Sequence, residues 1–139
     1  MAIERTFAII KPNAVQAGNA GQIINEIERA ALVLRGMRLA RLTPEVCKEF
    51  YQEHVAKPFY PALEAFMVEG PVVLLCLEGD NAILRWRDLM GATDPAKAAP
   101  GTLRARFAQD MTRNATHGSD SPASAQRELG FFFGAYDLV

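Results

Sequence analysis

Cysteine is scarce in this sequence: Cys47 and Cys76 are the only two in 139 residues, too far apart for a metal knuckle or a redox pair and too few for a disulfide framework. Reduced thiols and a cytoplasmic location are the expectation. Long apolar runs are also missing. After the N-terminal segment the longest is Val72 to Leu77, far short of a bilayer crossing, so no membrane partner is expected. Glu4 and Arg5 precede only a brief apolar stretch, which is too short for the core of a secretion signal. Excess charge of one sign is absent, since 15 basic and 16 acidic residues leave a net charge of −1. That balance excludes the broad basic face used to hold duplex nucleic acid, and no nucleic acid is required. Neither G-x-x-x-x-G-K-[ST] nor G-x-G-x-x-G after a strand occurs, so any bound nucleotide must be held by dispersed side chains.

What is present is the composition of one globular domain over residues 1–139. Half the residues are hydrophobic and 22% are charged, with Gly and Pro scattered as punctuation. Thr6 to Ile10 is a short apolar run closed by Lys11 and Pro12 and predicts a buried strand. Ile23, Ile27, Ala30 and Leu34 recur at helical spacing, and Gly36 lies where that helix should stop. Met37 to Leu42 suggests a second strand. Thr43 and Pro44 then supply a cap and a first-turn proline for a helix to about His54. A short helix over Pro61–Met67, a strand over Val72–Leu77 and a helix capped by Asp80 and closed at Gly91 follow. Ala92 to Gly118 is irregular and long, which in a small domain points to a functional loop. Ser121 and Pro122 begin a last helix to about Leu129, and Phe131–Phe133 is expected as the final strand. This order fits an α+β, ferredoxin-like split βαββαβ sandwich, a four-stranded antiparallel sheet with helices covering one face.

The most informative chemistry surrounds His117, set in Asn114, Ala115, Thr116, His117, Gly118, Ser119 and Asp120 ahead of a helix start. A Gly-containing turn there can present the imidazole outward. With an ordinary pKa of about 6.5, much of such a ring is neutral and nucleophilic at physiological pH. Glu128 lies one short helix later, within reach of the ring if that helix packs back. Taken alone, a histidine beside a turn is more often structural, and His54, inside a helix, is read that way.

Several cations and hydroxyls occupy places where a structural and a binding role compete. Lys11 ends a buried strand, either solvated at the sheet edge or facing a ligand. Arg87 shares a helix face with Ile83 and Met90. Arg104, with Arg106, lies in the irregular region, where guanidinium forks clamp phosphate or are simply solvated. Thr93 and Asn114 offer neutral hydrogen bonds, and Phe59 follows Pro58 at a helix break, as an exposed stacking ring or as core.

Taken together these residues resemble the nucleoside diphosphate kinase family, from the TFAIIKPNAV segment through NATHGSDS to RELGFFF, and NATHGSDS is closely similar to the family's active-site signature. The resemblance implies ping-pong transfer of a γ-phosphate through a phosphohistidine at His117, with Ser119 and Glu128 holding the ring and Lys11 at the reacting phosphate. It places Lys11, Tyr51, Arg87, Thr93, Arg104 and Asn114 near the phosphates or ribose and Phe59 against the base. It implies nucleoside di- and triphosphates as partners, and Mg²⁺ carried by the phosphates with no metal ligand from the protein. Similarity to bacterial members implies a homo-oligomer, a tetramer in preference to a hexamer. Asn13 and Ala14 stand where many members have Asp and Gly, and Ala17 replaces a commonly basic residue; these touch loop conformation rather than chemistry.

Overall fold

The computed structural model describes residues 3–139. Its elements in chain order are β1 (Ile3–Ile10), α1 (Pro12–Gln16), α2 (Ala20–Arg29), β2 (Val33–Ala40), α3 (Pro44–Phe50), α4 (Tyr60–Met67), β3 (Val72–Asp80), α5 (Ala82–Met90), a 3₁₀ turn (Pro95–Lys97), α6 (Leu103–Phe107), β4 (Thr116–Gly118) and α7 (Pro122–Phe132). The four strands form one sheet in the order β2-β3-β1-β4, and every neighbouring pair is antiparallel. Both crossovers pass over helices, as the split sandwich requires.

Helices cover both faces of this sheet, not one. Successive side chains of a strand point to opposite faces, and β1 is apolar on both. Phe7 and Ile9 pack with residues of α3, α4 and α7, while Ala8 and Ile10 pack with α1, α2, α5 and α6. Complete burial of Phe7 alone contributes roughly 2–3 kcal/mol of apolar transfer energy. Among the described residues no helix is long and apolar enough to cross a membrane.

Local chemistry moves several expected boundaries. α2 buries Ile23 and Ile27 as its spacing predicts but stops at Arg29, because Ala31 turns the chain with φ at 60°. Leu34 is therefore in β2, paired with Leu77. Gly36 is not a helix stop; it lies at a register shift in β2, where an added Cβ would come 2.7 Å from Leu138 Cδ2. Asp80 ends β3, and the N-cap of α5 is Asn81, at φ 51° and making no side-chain cap bond. Glu4 from β1 supplies the missing acceptor, receiving the Ile83 N–H at 2.9 Å.

Thr43 and Pro44 do open α3 as expected, with the Thr43 hydroxyl accepting from Val46 N at 3.2 Å. This helix ends at Phe50, before His54. The last strand is where the reading from sequence departs most. Phe131 and Phe132 continue α7, and Phe132 stacks on Phe7 with ring centroids 5.2 Å apart. The fourth strand is instead Thr116–Gly118, pairing His117 with Ile9.

Candidate functional site

His117 is thus held by a sheet rather than a free turn. Its carbonyl accepts the indole N–H of Trp86 at 3.1 Å. Two residues on, Ser119 N donates to Phe7 O at 3.1 Å, and Phe7 N donates to the Ser119 hydroxyl at 3.3 Å. Gly118 is needed between them, since a Cβ there would lie 2.6 Å from Trp86 Cδ1 and from Met90 Cε. The chain reaches β4 through Ala115, a non-glycine residue at φ 74° and fully buried, a conformation that the surrounding structure must enforce.

Around the imidazole the polar contacts converge on one oxygen. Glu128 Oε1 lies 2.8 Å from His117 Nε2 and also accepts the Ser119 hydroxyl at 2.9 Å. A carboxylate accepts, so Nε2 carries the proton and Nδ1 keeps its lone pair. The rings of Phe50, Phe7 and Tyr51 stand 5.3, 6.0 and 6.5 Å from the imidazole. Burial among them pushes the His117 pKa below its ordinary value; Glu128 opposes this, and the charges of Lys11 and Arg104 reinforce it. The ring is neutral at neutral pH.

Cations line the approach. Lys11, 6% exposed, donates to Asn114 Oδ1 at 2.8 Å, and burial, followed by the charge of Arg104, lowers its pKa to about 7. Arg104 is aimed by Gly91 O at 3.0 Å and Thr116 O at 2.9 Å. Burial and then Arg87 lower it to about 10. Two buried polar atoms here have no partner in the protein, Arg104 Nε and the Tyr51 hydroxyl. Buried orphans call for an explanation, and both of these side chains border a cavity. Burial also raises the Tyr51 pKa, so its hydroxyl stays protonated and can donate.

Three cavities hold the remaining positions. One of about 440 Å³ is lined by His117, Tyr51 and Glu128. A second, about 490 Å³, takes Arg87, Thr93 and Arg104. A third, about 410 Å³, is lined by Lys11, Thr93 and Phe59, whose ring is 51% exposed and so is not core. Thr93 joins the last two. All ten candidate positions from the sequence lie in or against these cavities: His117, Glu128 and Tyr51 in the first, with Ser119 bonded to Glu128; Arg87, Arg104, Thr93, Lys11 and Phe59 in the others, with Asn114 bonded to Lys11.

Met111 and Thr112, not singled out from the sequence, line the cavity with Phe59, and His54, read as structural, borders the cavity with His117 and accepts from Lys57 Nζ at 3.0 Å. An apolar Met111 inside the polar stretch Gln109–Arg113 was the available signal. Asn13 bears on loop conformation as expected, its amide donating to Phe107 O at 3.4 Å and Arg113 O at 3.2 Å.

The family model for nucleoside diphosphate kinase matches residues 4–138. The chain belongs to the nucleoside diphosphate kinase family. A nucleoside diphosphate kinase of Heliobacterium modesticaldum is 50% identical over 137 residues, 99% of this chain and 92% of that protein. One from Bdellovibrio bacteriovorus is 49% identical over 138 residues, 99% of this chain and 98% of its own length. Among solved structures, the Aquifex aeolicus nucleoside diphosphate kinase superposes with a TM-score of 0.96 at 42% identity, covering 99% of this chain and 100% of that one. A halophilic nucleoside diphosphate kinase from Halobacterium salinarum, solved in complex with CDP, gives a TM-score of 0.96 at 40% identity over 99% of this chain and 92% of its own. Fold, family and phosphotransferase class therefore agree with the sequence resemblance.

Proposed function

We propose that this chain, as one domain over residues 1–139, moves the γ-phosphoryl group of a nucleoside triphosphate to a nucleoside diphosphate through a phosphohistidine at His117 Nδ1. The carrying observation is the 2.8 Å contact that commits Nε2 to Glu128 and leaves Nδ1 as the nucleophile. The Nδ1 lone pair bonds to the γ-phosphorus, the bond from that phosphorus to the β–γ bridging oxygen breaks, and the diphosphate leaves with the electron pair. A terminal oxygen of a second diphosphate then attacks the phosphohistidine and returns the pair to Nδ1. Glu128, steadied by Ser119, stabilises the positive charge that grows on the ring.

The transferring group has a loose, charge-rich transition state, so the protein's work is positioning and electrostatics. Lys11, Arg87 and Arg104 supply positive charge, and the Tyr51 hydroxyl, Thr93 and Asn114 supply neutral donors. Phe59 stacks on the base, which suits every base because each has a π-face. The groups proposed to face the phosphates are the cations Lys11, Arg87 and Arg104, which complement phosphate oxygens and would repel a metal ion. Mg²⁺ would therefore ride on the phosphate oxygens rather than on protein ligands, where it would supply charge neutralisation.

A cytoplasmic homo-oligomer completes the reading, a tetramer in preference to a hexamer. In support, β2 is an edge strand that exposes Val33, Met37 and Leu39, a surface that soluble proteins usually cover. Sedimentation equilibrium gives the assembly; a monomer would remove this part. The central test mixes the protein with ATP and Mg²⁺, reads intact mass, and then adds GDP. One acid-labile phosphate per chain, absent in His117→Ala and discharged to GTP, is the expected result. Phosphate uptake by that variant equal to wild type would remove His117 as nucleophile.

A further inference from the structure

The cavity with Phe59 has an unusual second wall. Met111, 60% exposed, and Thr112 line the 410 Å³ cavity on one side and a separate cavity of about 620 Å³ on the other. This strip has open space behind it and no core to lean on, so tethers alone decide where it stands. Most of them meet at Arg113. Its guanidinium grips Glu69 with two bonds, Nη2 to Oε1 at 2.6 Å and Nη1 to Oε2 at 3.2 Å, and lies 4.9 Å over the Phe66 ring. Arg113 Nε donates to Gln109 Oε1 at 2.9 Å, and Asp110 Oδ1 accepts the N–H of Thr112 at 2.9 Å and of Arg113 at 2.7 Å. The strip is closed on itself and fastened outward by its side chain at Glu69 and by the Arg113 carbonyl at the Asn13 amide, 3.2 Å away.

Glu69 follows the C-terminal end of α4, its N–H bonded to Phe66 O at 3.2 Å. Phe59 is the N-cap of that same helix. One rigid helix thus carries the stacking ring at one end and the anchor of the opposite wall at the other. A planar guanidinium held by two parallel bonds fixes direction as well as distance, which a point charge does not.

We propose that Arg113, through Glu69, is a positioning residue that sets the width of the base slot between Phe59 and Met111. It touches neither phosphates nor His117 and acts only on the base. The inference rests on the nucleotide-kinase reading of the site and adds to it the group that makes the slot.

The test compares wild type, Arg113→Gln, Glu69→Gln, the double variant and Arg113→Lys. For each, KM and kcat with ATP are measured beside the inhibition constant of inorganic triphosphate, which has phosphates and no base. Each Gln variant is expected to raise KM by about three- to fivefold, the scale of a well-formed surface ion pair, with kcat falling less than twofold and triphosphate inhibition unchanged. The double variant should lose no more than either single one, and Lys should recover only part. Additive losses, or equal weakening toward triphosphate, would overturn the inference, and Glu69→Gln decides it alone if Arg113→Gln does not fold. Wild-type protein that takes no phosphate from ATP would overturn the kinase reading and this inference with it. Phosphate uptake with an unchanged KM in Glu69→Gln overturns this inference alone.

Discussion

The indole N–H of Trp86 is bonded to the carbonyl of His117 at 3.1 Å, so the helix that bears Arg87 also fixes the strand that bears His117. Arg87 and His117 are tied by a single contact, made by the sequence neighbour of Arg87 to the backbone of His117 itself.

Trp86→Phe keeps much of the apolar bulk and removes that bond, leaving a buried carbonyl short of a donor. A loss of about 2 kcal/mol is expected, read as a lower urea midpoint at unchanged slope. The rate of His117 phosphorylation should fall as well. An unchanged rate would show that β4 is held without the indole.

Glu128→Gln keeps an acceptor for Nε2 but removes the charge that balances a positive ring. The expected outcome is a kcat lower by about 10² or more, measured by coupled assay, with nucleotide KM little changed. Ser119→Ala, which removes a neutral donor to the same oxygen, should cost far less, about 1 kcal/mol in stability. Equal losses from the two variants would contradict the assignment of charge stabilisation to Glu128.

Burial holds the His117 pKa below its ordinary value, so its ring stays unprotonated when free histidine begins to charge. Rapid-quench phosphorylation from ATP should be flat from pH 8 to about pH 6.5 and decline only below that. The stability sign follows from proton binding: between the unfolded value and the lower folded one, the unfolded chain holds more protons, so this group's contribution to stability rises with pH through that window and is lost as pH falls through it. A rate already halved at pH 7 would contradict the burial argument.

Lys11, with its pKa lowered to about 7, is largely neutral in the free protein at pH 8, and bound phosphates should restore its charge. Nucleotide binding at pH 8 is then expected to take up a proton, and binding at pH 6 to take up little. Calorimetry in two buffers of different ionisation enthalpy reads this directly, and Lys11→Ala should abolish it. In the free protein, this lysine's contribution to stability rises with pH from about 7 toward its unfolded value.

Phe59→Ala removes the exposed ring and should raise KM by roughly tenfold for purine and pyrimidine nucleotides alike, with kcat largely kept. Unchanged KM across several nucleotides would remove the ring from the base contact.

Elements whose physics is local were legible in the sequence. β1 and β3 are continuous apolar runs, α2 repeats its buried isoleucines one turn apart, and Thr43-Pro44 and Ser121-Pro122 announce helix starts. The Ser121 cap is doubled in the structure by Ser124, which returns a bond to Ser121 N at 3.0 Å. Elements defined by distant partners were not legible. β4 has three residues and becomes a strand only because β1 has an unpaired edge. Phe131 and Phe132 read as a strand but stay helical, as α7 carries Phe132 onto Phe7. Glu4 replaces the cap that Asp80 was expected to give, from 79 residues away. The family was visible as a resemblance around NATHGSDS, whereas the Met111 wall depends on Arg113 bonding to Glu69, 44 residues away.

β1 lies inside the sheet only because β4 comes last. On a ribosome, a chain that has emerged through β3 still presents Ala8 to Ile10 with one side of its backbone open, an apolar edge that invites pairing with another chain. The same late strand delivers His117. If His117 carries the phosphate as proposed, protection from aggregation and chemical competence arrive together, and chains released before Thr116 should be both inactive and prone to sediment, whereas chains released after Phe133 should be neither.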